Sequence, residues 1–147
     1  MGQQQLLLLV LGIVIVGLAV VAGINAFDEN QQKSSEDALT NEAFRLASDA
    51  KAWYNKPKQY DGGGSDGSEL GSIQWQDIGV QDGSLEGSSN AASSSGQYDT
   101  PWGDISMNAG NPLTFDLRTT QGDSTEVFGT VTFDPSNDSG NQIEFAR

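Results

Sequence analysis

Asp134, Asn137 and Asp138, with Gly140 behind them, come nearest to a chemical site in this chain. Their oxygens are hard ligands of the kind calcium takes. Their spacing does not follow a regular calcium loop, and a plain hydrophilic turn accounts for the same residues. Asn137-Asp138-Ser139 also has the form of an N-glycosylation sequon, a pattern short enough to arise by chance. Fourteen carboxylates lie beyond residue 58, yet nothing in their spacing selects a pair for glycoside chemistry. Histidine and cysteine are both absent. That removes Ser-His-Asp and Cys-His catalysis, thiolate metal sites and any disulfide framework. The glycine-rich GGGSDGS at residues 62–68 lacks the lysine and the strand-to-helix setting of a phosphate loop. The residues point away from an enzyme, and no cofactor or dedicated metal is expected.

Charge narrows the partners. The net charge is −13 and it is unevenly spread. Residues 28–58 carry six acids and five bases, whereas residues 59–147 set fourteen acids against Arg118 and Arg147 alone. Such a surface repels nucleic-acid phosphates and anionic lipid headgroups. No nucleic-acid partner is expected.

The element that positions everything else is LLLLVLGIVIVGLAVVAGINAF, residues 6–27. These 22 residues carry no charge, and 15 of them are Leu, Ile, Val or Phe. As a helix the run is roughly 33 Å long at about 1.5 Å per residue, which matches a bilayer core of about 30 Å. Its one internal polar residue, Asn25, lies near the far end. Gly12, Gly17 and Gly23, with Ala19, Ala22 and Ala26, would let helices approach closely. No basic residue precedes the run, and the first one after it is Lys33. Orientation in a membrane is normally set by basic flanks. A short basic leader, cut away before Met1, would supply what is missing.

No glycine or proline interrupts residues 28–56, and Leu39, Ala43, Leu46, Ala50 and Trp53 recur on one helical face. Glu42 and Arg45 stand at a favourable helical spacing. One continuous helix is expected over about residues 3–55, although Ser34 or Ser35 could cap a separate second helix. Residues 57–97 read as a Gly/Ser-rich loop region. Ile73, Trp75 and Ile78 suggest a short strand within it. From residue 98 the pattern is β. Tyr98, Trp102, Ile105 and Met107 mark one broken strand region, and Leu113, Phe115 and Leu117 alternate with polar residues. TQGDS is read as a turn leading to Val127, Gly129, Val131 and Phe133. DPSNDSGN is a second turn, before a last strand at Ile143 and Phe145.

The expected fold class is α+β, a long N-terminal helix whose second half packs on a small antiparallel sheet of three or four strands in meander order. The division expected is residues 1–27 as an apolar half-helix, 28–56 as an amphipathic half-helix, 57–97 as loop, and 98–147 as sheet.

With MGQQQLLLLVLGIVIVGLAVVAGINAF, the amphipathic run to Tyr54 and a β-rich head, the chain resembles the type IV pilins and pilin-like filament subunits. The likeness covers the first third closely and the rest in architecture. In that family a dedicated prepilin peptidase removes a basic leader at the inner membrane, and assembly machinery there packs the apolar helices into a filament core. The resemblance implies two possible starts. With Met1 as the mature first residue, Gln5 falls where most bacterial members carry glutamate; with cleavage after Gly2, Gln3 is first, closer to archaeal pilins. It assigns an assembly role to Gln5, Leu6, Leu9, Gly12, Ile13, Val16, Gly17, Val20 and Gly23. Gln5 cannot make the ion pair attributed to the family's glutamate, only a weaker hydrogen bond. The proline that many bacterial pilins carry late in the run is replaced by Ala22 and Gly23, and the disulfide-closed loop is missing.

The function expected is that of a structural subunit of an extracellular, pilus-like filament on the cell surface. It would be a helical homo-oligomer, held in the inner membrane before assembly. A membrane-tethered binding or adhesion domain that never polymerises, and a minor pseudopilin of a secretion system, are the alternatives.

Overall fold

A computed structural model describes residues 2–81, 85–86, 96–119, 126–137 and 143–147. Among these residues the order is a long helix α1 (Gly2–Asn55), three short 3-10 helices (Lys58–Tyr60, Gly67–Ser72 and Trp75–Ile78) and six strands. The strands are β1 (Leu85–Glu86), β2 (Gln97–Thr100), β3 (Gly103–Asn108), β4 (Leu113–Thr119), β5 (Gly129–Phe133) and β6 (Ile143–Ala146). All pair antiparallel, in chain order, as one meander. The class is α+β, as the sequence predicts. The chain forms two compact units, Met1–Ser34 and Ser35–Arg147.

α1 is unbroken, and Ser34 and Ser35 lie inside it rather than capping a second helix. Its end is set by Pro57 and by the glycine-rich loop behind it. The Trp53 carbonyl accepts from the Lys56 and Gly63 N–H groups, and the Tyr54 and Lys56 carbonyls accept from Ser65 and Gly64. These bonds satisfy backbone oxygens that a helix end leaves open. The loop needs its glycine here, because a Cβ on Gly62 would stand 2.3 Å from the Lys56 carbonyl oxygen.

The core of the second unit has three contributors. α1 supplies Leu39, Ala43, Leu46, Ala47 and Ala50, all fully buried. Spacings of three and four residues put them on one stripe, and three alanines let the helix axis lie close to its neighbours. The sheet supplies Ile105, Met107, Leu113, Phe115, Leu117, Val131 and Phe133 from the inward positions of β3, β4 and β5. Leu70, Ile73, Trp75, Ile78 and Val80, between helix and sheet in the chain, are the third part.

That third part corrects the expected strand at Ile73, Trp75 and Ile78. Residues 75–78 are a 3-10 helix, closed by a capping box at Gln74 and Asp77 and by Gly79 in the left-handed region at φ 81°. The steps Leu70 to Ile73 and Trp75 to Ile78 are three residues, the 3-10 repeat, and the two-residue step between them imitates a strand. The β region also differs in detail. Trp102 is not in a strand: Pro101 and Trp102 form a two-residue hairpin between β2 and β3. The buried Thr100 hydroxyl donates to the Gly103 carbonyl at 2.6 Å there. Val127 precedes β5 rather than belonging to it. The TQGDS turn lies outside the described residues.

The outward face of the sheet is polar. Asp116 accepts from the Thr130 hydroxyl (2.9 Å) and the Asn108 amide (2.8 Å), and the Arg118 guanidinium donates to Ser106. Between helix and sheet edge, Arg45 clamps Glu42 at 2.6 Å and the Tyr98 hydroxyl donates to Glu42 at 3.3 Å. The Arg45 hydrogen bonds hold the Glu42 carboxyl below its ordinary value near 4.5, against the opposing effect of burial.

Leu46→Ala should cost about 2–5 kcal/mol by leaving a cavity. Gly103→Ala should cost about 1–3 kcal/mol, since its Cβ would meet the Arg118 carbonyl oxygen at 2.1 Å. Urea titration followed by near-ultraviolet circular dichroism should show lower midpoints with unchanged slopes. The lowered Glu42 value means that it stabilises the fold while ionised, and that this contribution fades as pH falls below about 4.5. Between about pH 6 and about pH 3, Glu42→Gln should therefore lose less stability than the parent chain. An identical acid slope in the two would contradict this.

Candidate functional site

The residues with the clearest functional demand are the apolar ones of the first unit. Each of the fifteen large apolar side chains between Leu6 and Phe27 is 52–78% exposed. They occur at nearly every position, so they surround the helix instead of forming one stripe. Burying them is worth on the order of 20–40 kcal/mol at about 1.5–3 kcal/mol per side chain. A folded domain is stable by only about 5–15 kcal/mol, so this surface cannot be left in water. The helix is long and apolar enough to cross a membrane.

Gln5, Leu6, Leu9, Gly12, Ile13, Val16, Gly17 and Val20 are all exposed on this helix, and Gly23 is half-exposed. A Cβ placed on Gly12, Gly17 or Gly23 meets nothing within 4 Å. No contact among the described residues therefore requires glycine at these positions, although each weakens a helix by about 0.8–1.0 kcal/mol relative to alanine. At about 100° per residue, Gly12 and Gly23 lie within about 20° of each other and Gly17 about 140° away, so the thin places face two directions. Gln3 is in the first turn of the helix, and Met1 lies outside the described residues.

The remaining candidates are in the second unit. Leu39, Ala43, Leu46 and Ala50 are in its core, and Trp53 packs against that core from its margin. Of the weak calcium set, Asp134 turns its Oδ1 to the Ser136 N–H (2.9 Å) and hydroxyl (2.5 Å). The Asn137 amide donates to Glu144 at 3.5 Å, and Asp138 lies outside the described residues. Among the described residues no three Asp, Glu, His or Cys side chains gather as a metal-binding group.

One concavity on the second unit was not foreseen. Asp49, Ala52 and Trp53 line it from α1, and Lys56 from the residue just past its end. The first three, spaced by three residues and one, are a second helical stripe beside the core stripe, and that is the signal by which the sequence could have revealed it.

The molecule is thus an α+β protein with an uncovered apolar half-helix and a closed β-sheet head, an architecture consistent with that of the pilin-like subunits. No protein-family model, curated protein or solved structure matches the chain.

Membrane insertion should tolerate one charge and fail with three. The run contributes about −5 to −9 kcal/mol, and each central lysine costs about 2.5–3.5 kcal/mol. Val14→Lys should therefore stay with membranes after alkaline carbonate extraction. The triple variant Val10→Lys, Val14→Lys, Leu18→Lys should be released.

Proposed function

We propose that this chain is a structural, non-catalytic subunit of an extracellular, type IV pilus-like filament, polymerising through its apolar half-helix. The observation that carries the reading is that residues 6–27 lack any cover of their own while the head closes its core without them. Two environments satisfy such a surface, lipid and a bundle of identical helices. Before assembly the helix resides in the inner membrane, where prepilin peptidase removes a basic leader. Assembly then exchanges lipid for helix–helix contact, so little apolar surface meets water at any stage.

The glycines favour the bundle over a permanent tether. In a lone membrane helix nothing depends on Gly12, Gly17 or Gly23 being thin, whereas close-packed helices gain van der Waals contact and backbone approach there. Gln5 lies one residue before the apolar run, where a hydrogen bond to a neighbouring subunit would help set the register. Acidic heads face solvent on the filament surface. A membrane-tethered adhesion domain and a minor pseudopilin share the anchor but not abundant fibres.

Electron microscopy of sheared surface material, with N-terminal sequencing of the subunit, tests the reading directly. Gly12→Leu together with Gly17→Leu should abolish filaments while the head keeps the urea midpoint of the parent chain, because a Cβ at either position meets nothing within 4 Å. Normal fibres from that variant would refute close helix packing. A parent chain that is never recovered in fibres would leave the tethered reading.

A further inference from the structure

The last two turns of α1 and the 3-10 helix Trp75–Ile78 border an open cleft of about 450 Å³. That volume lies in the range of small-molecule sites, about 300–1,000 Å³. Trp53 gives it an aromatic wall, and Ala52 leaves the space between Asp49 and Lys56 open. The indole is packed closely against the loop: its Cζ3 atom would lie 3.0 Å from a Cβ on Gly63. Lys56 is held at its backbone, where its carbonyl accepts from Gly64, while its side chain makes no ion pair among the described residues.

The charges in the cleft are largely settled within the chain. Asp49 is paired with Arg45 at 2.8 Å. Asp77 accepts from the Gln74 N–H at 2.8 Å in the capping box, and burial holds its carboxyl above the usual range. Lys56 then offsets what remains. A cleft near neutrality, on a unit whose surface is otherwise strongly acidic, does not call for a cationic ligand. An aromatic wall flanked by one ammonium donor and one carboxylate acceptor suits a ring with an apolar C–H face and hydroxyl edges.

We propose that this cleft is a glycan-binding site for one pyranose ring, which stacks on the Trp53 indole and hydrogen-bonds through its hydroxyls to Asp49 and Lys56. The site is present in a single subunit and stands whether or not the chain polymerises.

Saturation-transfer NMR on the full chain in a sugar-free detergent, such as lauryldimethylamine oxide, tests it. The probes are the methyl pyranosides of glucose, galactose, mannose and N-acetylglucosamine. At least one should bind and show transfer to its ring C–H protons. Ala52→Phe fills the cleft from an exposed helix position, and it should weaken binding by about tenfold or more while leaving the near-ultraviolet spectrum unchanged. Lys56→Ala should weaken binding similarly, and Tyr60→Ser, on an exposed side chain that does not line the cleft, should not. A second arm offers purified envelope polysaccharide, which separates a surface glycan from a free sugar as the source; binding in either arm supports the site. The proposal falls if no probe and no polysaccharide binds at up to about 50 mM pyranose, well past the millimolar range of weak ligands. It also falls if binding survives Ala52→Phe undiminished.

Discussion

One helix serves two solvents, and the rest of the structure follows from that constraint. α1 runs from Gly2 to Asn55 without a break, yet its composition changes completely near residue 28. The first stretch is apolar on every side, so no intrachain partner of this size could cover it. The second has one apolar stripe, which the sheet and the 3-10 segment at residues 70–80 bury together. Helical geometry lets a single element satisfy both conditions, because backbone hydrogen bonds close within the helix whatever surrounds it. A strand would need a partner for its backbone groups in either setting.

The head must close its core without any contribution from the apolar half. It does so with about 110 residues and no disulfide, near the size at which one hydrophobic core suffices. Alanine matters here as much as the larger residues. Ala43, Ala47 and Ala50 share the core with Trp75 and Phe115, whose ring centroids stand 6.4 Å apart. Gly129 has a comparable role at the sheet margin, where the Phe145 ring occupies the place of its missing side chain, 2.5 Å from where a Cβ would stand. Large and small residues thus alternate across facing elements, which is how a thin domain reaches native packing density.

Much of this was legible in the sequence because it depends on periodicity. The helix, its buried stripe and the alternation in β4 and β5 repeat at fixed intervals, and only one structure fits each interval. Residues 70–80 were harder. Steps of three, two and three residues are too few to distinguish a 3-10 helix from a strand, and the deciding signals were the reciprocal cap between Gln74 and Asp77 and the left-handed Gly79. The role of the glycine-rich loop was hidden for another reason. Composition identifies a loop, but only the path of the chain shows that its N–H groups turn back onto the last carbonyls of α1. Only one wall of the cleft beside Trp53 was legible, as the stripe through Asp49, Ala52 and Trp53, since Asp77 and Gly79 reach it through tertiary folding.

The uneven charge then acquires a physical role in the proposed assembly. At physiological salt the Debye length is about 8 Å, so like-charged heads repel strongly only when their surfaces nearly touch. A pair of exposed charges about 4 Å apart in water interacts by about 1 kcal/mol. Burial of the apolar half is worth on the order of 20–40 kcal/mol per subunit, whether lipid or helices provide it. Because that burial is the same in both settings, close packing of the helices drives association, and screened repulsion between heads opposes it little. That repulsion acts instead on unspecific contact between heads, which have no comparable apolar surface to offset it. Attraction is thereby concentrated in residues 6–27 and repulsion in residues 59–147. A subunit divided in this way can associate through its helix while its heads stay separately solvated, and the near-neutral stretch between them, residues 28–58, is where neighbouring chains could approach with least electrostatic cost.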